Sequence, residues 1–431
     1  MYRKVKEKLN QWKQNPYRKP LILQGPRQVG KTYLALEFGR EEYENVAYFN
    51  FQTDGRLMET FEENIQPSYL LPILSRISKT SIIKEKTLII FDEVQLSEKA
   101  LASLKYFCEE APEYHVLAAG SLLGVAVNRE QFSFPVGKVD MIDMYPMDFE
   151  EYLLAKGEEE LRNRIRSSFD MNEALPSAVH EDALRLYREY LVVGGMPECV
   201  AKYIETGDHI LIRQTQETIL AGYMSDMSKY NKNTEIPKTR LTYNSIVTQL
   251  SRQNTRFQYK LVKKGGRASE LENAIEWLVL SGIVDRVYGL EQAKKPLENY
   301  KDIDAFKIYM SDTGLHLAKQ QVVPEDVLYN THELDEFKGG MTENYVDVQL
   351  KTSGYTTYFW TGDNNSEVDF VIQREGKIIP IEVKAAENVR AKSLNIFMKK
   401  YDSDYAIRLS TKNFGFEEGK KAVPLYAAFC I

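Results

Sequence analysis

Hydrophobic and polar positions divide the chain into stretches of different period. Between residues 18 and 145, short apolar runs alternate with longer amphipathic ones. PLILQG (20–25), NVAYFNF (45–51), TLIIFDE (87–93) and HVLAAGS (115–121) are bounded and mostly apolar, which predicts strands buried on both faces. Between the last two runs, Leu101, Leu104, Phe107 and Cys108 recur at helical spacing. Alternation of this kind predicts an open α/β sheet with crossover helices over 1–150. Asp148 with Glu151 three residues on is a capping-box signal, and 151–230 reads as helical. Gly194-Gly195-Met196-Pro197 interrupts that segment, with Pro197 placed to open the next helix. Within 231–330, a helix over 267–282 is followed by strand-like IVDRVYGL and FKIYMSD, an order that suggests a winged helix-turn-helix. From 331 to 431 the order becomes helix, three strands (TYFWT, EVDFVIQR, KIIPIEVKA), helix, strand (YAIRLS) and a last apolar run, PLYAAFCI, which together indicate a small α/β domain.

The first strand runs into Gly25-Pro26-Arg27-Gln28-Val29-Gly30-Lys31-Thr32, a full match to G-x-x-x-x-G-K-[ST], with a helix signal beginning at Thr32-Tyr33. Glycines at both ends let the backbone wrap a phosphate, so that N–H groups and the helix N-terminus face the anion. Lys31 then reaches the outer phosphates and the Thr32 hydroxyl ligates Mg²⁺. Asp92 closes the TLIIF strand at its C-terminal end, the end where open α/β sheets bind ligands, and is placed to hold the metal. Glu93 beside it is placed to polarise the attacking water, which favours hydrolysis over mere binding. Ser121, closing the next strand, is placed to sense the γ-phosphate or position water.

GPRQVGKT, IIFDEVQ, the AAGS strand end and the later SFPVGK…YPMDFEEYL resemble the prokaryotic AAA-type ATPases paired with a DUF4143 C-terminal region. LVVGGMPECV, KIYMSDTGL, FKGGMTENYV and EVDFVI…IPIEVKA resemble that C-terminal region, in the same order along the chain. The resemblance implies an additional-strand P-loop core, ATP with Mg²⁺, and self-association into a homo-oligomer. It also marks a departure. The family commonly has Gly-Arg where this chain has Gly137-Lys138. A lysine brings charge without the planar fork of an arginine finger, and Lys138 reads equally as an ordinary strand-end lysine.

Composition adds limits. The chain has 431 residues, 43% hydrophobic and 27% charged, ordinary values for a globular protein of several domains. Apolar runs of about five residues are far short of the ~20 needed to span a bilayer, so no membrane partner is expected. Three scattered cysteines fit a reducing cytoplasm, and the five histidines show no zinc spacing. The net charge of −6 excludes a uniformly basic protein, but residues 231–270 carry nine Lys/Arg against two acids. Arg252, Arg256, Lys260, Lys263, Lys264 and Arg267 make DNA a candidate partner through its phosphates. A solvated face or a domain-packing surface accounts for the same charges.

Strand alternation picks out a second constellation. In EVDFVIQ, Val368, Phe370 and Ile372 share one face and Asp369 the other; in IIPIEVKA, Glu382 and Lys384 point away from the apolar set. Asp369, Glu382 and Lys384 can then converge, with Glu343 on the preceding helix completing the group. Such carboxylates can hold a second Mg²⁺ or Mn²⁺ and activate water on a phosphodiester. The arrangement is similar to the PD-(D/E)xK nuclease-like, or restriction-endonuclease-like, fold. Two readings follow: an ATPase that couples hydrolysis to action on nucleic acid through a nuclease-like domain, or an ATP-driven switch or scaffold whose C-terminal domain only binds a partner.

Overall fold

The computed structural model describes residues 1–121, 134–231, 233–252, 255–334, 337–363, 366–385 and 392–431. Lys232 of the basic run, 335–336, and residues 388–391 of the last predicted helix lie outside the described residues. The chain divides into two compact units, one formed by Tyr2–Tyr145 with Leu280–Gly282, the other by Pro146–Val279 with Ile283–Ile431.

The N-terminal unit is built on five strands, β1 (Leu21–Gln24), β2 (Asn45–Asn50), β3 (Thr87–Asp92), β4 (His115–Gly120) and β5 (Asp140–Asp143). They form one sheet in the order β2-β3-β4-β1-β5, and every pairing is parallel. β4 therefore stands between β1 and β3, as the additional-strand core requires. Every residue of β3 and β4 is buried, which is why these strands read as unbroken apolar runs. β5 alternates half-buried and exposed positions over four residues at the sheet edge, too short and polar a pattern for the sequence to reveal. The helix Glu98–Glu110 buries Leu101, Leu104 and Phe107 as expected, while Cys108 is only partly buried. Phe91 is the hub of one core cluster, meeting Phe49, Phe51, Phe61 and Phe107 edge-on at centroid separations of 6.0, 5.8, 5.5 and 6.2 Å.

In the second unit, Asp148 caps the helix Phe149–Ala155 with the full reciprocal capping box, and Pro197 opens Pro197–Thr206. Eight strands form a mixed sheet in the order β12-β13-β11-β10-β9-β8-β6-β7. They are β6 (Val284–Leu290), β7 (Lys301–Met310), β8 (Tyr358–Thr361), β9 (Glu367–Arg374), β10 (Lys377–Val383), β11 (Ala406–Ser410), β12 (Gly415–Glu417) and β13 (Lys420–Pro424). The helix Lys338–Thr352, β8, β9, β10, the helix Lys392–Tyr401 and β11 follow the expected α-β-β-β-α-β order, with β10 and β11 parallel.

Two findings differ from the sequence reading. The helices Ile236–Leu250, Tyr259–Val262 and Ala268–Leu280 do precede the ribbon β6–β7, but the ribbon is not free-standing. Tyr288–Leu290 of β6 pair in parallel with Tyr358–Trp360 of β8, so the ribbon belongs to the same sheet as the later strands. Residues 415–424 add an antiparallel hairpin, β12–β13, at the far edge. The last apolar run is a 3₁₀ turn over Leu425–Cys430, buried throughout, which follows Pro424.

Asp312 fixes the middle of this unit. Its carboxylate accepts the Gly195 N–H at 2.6 Å and the Leu315 N–H at 2.8 Å, joining the Gly-Gly break to the start of the helix Thr313–Lys319. A Cβ on Gly195 would sit 1.9 Å from the Met147 carbonyl oxygen, so only glycine allows that approach.

Truncating Phe91 to alanine removes the hub of the aromatic cluster. The expected loss is about 3–5 kcal/mol, read as a lower denaturation midpoint for the N-terminal unit in urea, with Phe107→Leu costing clearly less.

Candidate functional site: a phosphate loop and a carboxylate–lysine cluster

Parallel register brings the polar ends of three strands together. Asn50 pairs with Asp92, Asp92 with Ala119, and Leu23 with Ala119, so the loop after β1, the acidic end of β3 and Ser121 after β4 open on one edge of the sheet. Gly30 caps the helix Lys31–Glu42 with φ 90°, a left-handed conformation that suits glycine, and Gln28 also has positive φ. Gly25 has a second constraint. A Cβ there would lie 2.0 Å from the Met144 carbonyl oxygen, because Met144 N–H donates to Gln24 O as β5 leaves the sheet. The loop is also held from the chain's start, since the buried Arg3 donates to Val29 O at 3.0 Å and to Tyr145 O at 2.6 Å.

The predicted residues of this loop take distinct places. Lys31 is buried and its ammonium donates to the carbonyls of Gly25 (2.9 Å) and Pro26 (2.6 Å). Burial pulls its pKa down to about 8, against the opposing pull of Glu93 and Asp92. Thr32 Oγ1 donates to Asp92 at 3.1 and 3.0 Å to its two oxygens. Glu93 sits in left-handed backbone (φ 53°), and one of its carboxylate oxygens accepts from Gln95 Nε2 at 2.5 Å and from Ser121 Oγ at 3.5 Å. Pro26 and Val29 are buried, Arg27 is half-buried, and Gln28 and Tyr33 are exposed. Lys138 lies in an ion pair with Glu109 at 2.8 Å.

Two residues were missed by sequence reasoning. Tyr48 hydroxyl donates to Asp92 Oδ2 at 2.7 Å, and Asn50 supports both groups, at 3.1 Å to Tyr48 and 3.5 Å to Asp92. The signal was present in NVAYFNF. Ala47 and Phe49 are buried, so Tyr48 and Asn50 share the other face of β2 and point to the neighbouring acid. His115 is buried and bonded to the Tyr43 hydroxyl at 2.7 Å.

In the second unit, the four residues singled out in the C-terminal part do come together. Phe370 lies opposite Ile381, and just beyond this pair the Val383 N–H donates to Asp369 Oδ2 at 2.7 Å. Lys384 pairs with Glu382 at 3.1 Å and also feels Asp369 and Glu343. The group contains more than was foreseen. Lys307 of β7, fully buried, pairs with Glu343 at 3.2 Å and with Glu367 at 2.6 Å. Glu343 further accepts from Tyr309 (2.8 Å) and Thr255 (3.2 Å). Burial, then the Glu343 charge, pushes the Asp369 carboxyl up to about 7, against the pull of Lys307 and Lys384. The second metal expected here has no support. Among the described residues no three His, Cys, Asp or Glu side chains are placed to hold an ion. Two lysines instead lie against the acids, Lys307 on Glu343 and Glu367 and Lys384 on Glu382.

The basic run also looks different in three dimensions. Arg252, Lys260, Lys264 and Arg267 are exposed, and Lys263 is exposed but paired with Glu270 at 2.9 Å. Arg256 turns inward. Its backbone bridges to Lys307, and its guanidinium lies 5.4 Å from the Phe359 ring centre and donates to Thr361.

Comparison with known proteins adds to this geometry. Residues 17–153 match the model of an AAA domain, with the complete phosphate loop and acidic strand inside the match. The N-terminal unit carries an AAA-type P-loop domain. Residues 338–428 match a domain of unknown function, DUF4143, and residues 184–326 match another, DUF8612. Comparison with curated proteins returned no match. Among solved structures, the Walker-type ATPase PABY2304 of Pyrococcus abyssi is similar at 14% identity and a TM-score of 0.44, covering 73% of this chain and 94% of that one. The ORC2 protein of Aeropyrum pernix follows at 13% and 0.37, covering 76% and 94%, and the RuvB Holliday junction branch migration motor of Thermotoga maritima at 15% and 0.31, covering 66% and 88%. Among the described residues, no helix is long and apolar enough to cross a membrane.

Asp369 yields a pH prediction. Its carboxyl is raised from 3.8 to about 7, so between these values the folded chain holds a proton that the unfolded chain has released. Stability contributed by this group therefore falls as pH rises from about 4 to 7. Asp369→Asn, which cannot titrate, should flatten that part of the stability-versus-pH curve measured by thermal unfolding. An unchanged slope would show that Asp369 is not its source.

Proposed function

We propose that the chain binds ATP with Mg²⁺ in the loop after β1 and hydrolyses it. The observation that carries this reading is the contact between Thr32 Oγ1 and the Asp92 carboxylate, with Glu93 and Ser121 beside it at the same sheet edge. Thr32 and Asp92 fit a hydrated Mg²⁺, which takes one or two protein oxygens and keeps several waters. When bound, the ion supplies charge neutralisation across the β- and γ-phosphates. The remaining work belongs to the chain. Loop N–H groups and the helix N-terminus at Lys31 receive phosphate oxygens, and the Lys31 ammonium adds a cation in a water-poor pocket. Glu93 takes a proton from the attacking water, and Gln95 and Ser121 orient its carboxylate. Tyr48 and Asn50 act as positioning residues for Asp92.

The C-terminal half supports the binding reading over the cutting one. Lys307 pairs with two of the carboxylates in the cluster, so we propose that ATP drives a change of partner or assembly while this region binds rather than cleaves. The exposed Arg252, Lys260, Lys264 and Arg267 favour a polyanion such as DNA as that partner.

Lys31→Ala should abolish ATP hydrolysis in a phosphate-release assay, and Glu93→Gln should retain binding while lowering turnover roughly 100-fold or more. Hydrolysis that survives Lys31→Ala would end the assignment. Tyr48→Phe should raise the Mg²⁺ concentration needed for half-maximal rate and leave nucleotide binding without metal unchanged. Affinity for ATP should fall as pH rises above about 8, where Lys31 loses its charge. For the second half, duplex, branched and single-stranded DNA should all remain intact with Mg²⁺ or Mn²⁺. Each of Lys260→Ala, Lys264→Ala and Arg267→Ala should lower the salt dependence of DNA binding by about one unit of slope. Salt-insensitive binding, or none, would remove DNA as the partner.

A further inference from the structure

We infer that Lys307 is the resident cation of the carboxylate cluster, its ammonium taking the position that a divalent ion would need. The sequence around it is unusual for a lysine. FKIYM forms the end of β7, where all five residues are buried, so neither face of the strand offers this side chain water. Phe306 and Ile308 fill one face. Lys307 and Tyr309 share the other, and both reach Glu343 on the helix Lys338–Thr352, at 3.2 and 2.8 Å.

A buried ammonium is tolerated only where its donors and its charge are matched. Here Nζ meets Glu343 Oε2, Glu367 Oε1 at 2.6 Å and, at 5.3 Å, the face of Phe359. Two carboxylates and an aromatic face thus surround the ammonium. The surrounding acids outweigh the desolvation and hold the ammonium above its ordinary pKa.

Several of the oxygens a metal would use are already engaged. Glu343 Oε2 already accepts from Lys307, Tyr309 and Thr255. Asp369 accepts the Val383 N–H, and Glu382 is paired with Lys384 through one oxygen while the other is buried without a hydrogen-bond partner. A small divalent ion needs several of these oxygens at 2.0–2.6 Å, in a geometry the ammonium excludes. Lysine supplies the charge at its own cost, permanently and without exchange. Two outcomes follow: the cluster binds no Mg²⁺ or Mn²⁺ as it stands, and removing the ammonium opens a site that does. This holds whether or not the N-terminal unit hydrolyses ATP.

The test is an Mn²⁺ titration of the full chain without nucleotide, followed by electron paramagnetic resonance of the free ion, in an Asp92→Ala background that silences the N-terminal site. With Lys307 intact, no stoichiometric Mn²⁺ should bind, and Mn²⁺ should leave the melting temperature unchanged. Lys307→Ala should bind one Mn²⁺ per chain, and adding Glu343→Gln should abolish it. One Mn²⁺ bound with Lys307 in place, and lost on Asp369→Asn, would overturn the inference. So would a folded Lys307→Ala chain that binds none. Should Lys307→Ala fail to fold, the intact chain decides alone: a rise in melting temperature with Mn²⁺ that Glu382→Gln removes refutes the inference, and no rise supports it.

Discussion

The parallel pairing of β1, β4 and β3 is the constraint on which the N-terminal unit depends. These strands are buried on both faces, so their register is fixed by hydrogen bonding and by packing against helices on either side. A one-residue slip would carry Phe91 out of its aromatic cluster and turn Asp92 away from Thr32. Packing and chemistry are thus set by the same registration. Core residues up to Phe91 hold the sheet, and the first polar residue after them is delivered to the edge where Gly25 and Ser121 also emerge.

The second unit solves a different problem. It buries several charges, and it does so by matching them. Lys307 with Glu343 and Glu367, Lys384 with Glu382, and Glu150 with Arg166 are pairs in which the buried member would be costly to leave alone. Asp312 instead uses backbone N–H groups, and burial pushes its carboxyl up to about 6 despite them. Such pairing favours one arrangement of helices and strands over other compact ones, since a misplaced partner leaves an uncompensated charge.

Much of this was legible in the sequence, and what was not has identifiable causes. Strands with one consistent pattern, such as TLIIFD and HVLAAG, were visible because burial on both faces leaves an unbroken apolar run. The phosphate loop was visible because its spacing is local. β5 and the hairpin β12–β13 were hidden because short, half-exposed edge strands carry little apolar signal. The joining of β6 to β8 depends on partners about 70 residues apart, which no local pattern records. In the carboxylate cluster, alternation placed Asp369, Glu382 and Lys384 correctly. The same reasoning passed over Lys307, although a single lysine inside the apolar run FKIYM was the clue. Arg3 had no local signal at all, since its partners Val29 and Tyr145 lie far along the chain.

That arginine gives the N-terminal unit a mechanical property. One planar guanidinium grips the phosphate loop at Val29 with one nitrogen and, with the other, the carbonyl of Tyr145, the residue at which the chain leaves the unit. Because the group is rigid, its two grips cannot move independently. A loop shifted at Val29 would strain or lose one of the two hydrogen bonds. Arg3 thus clamps the phosphate loop to the last residue of the unit, two segments more than a hundred residues apart in sequence.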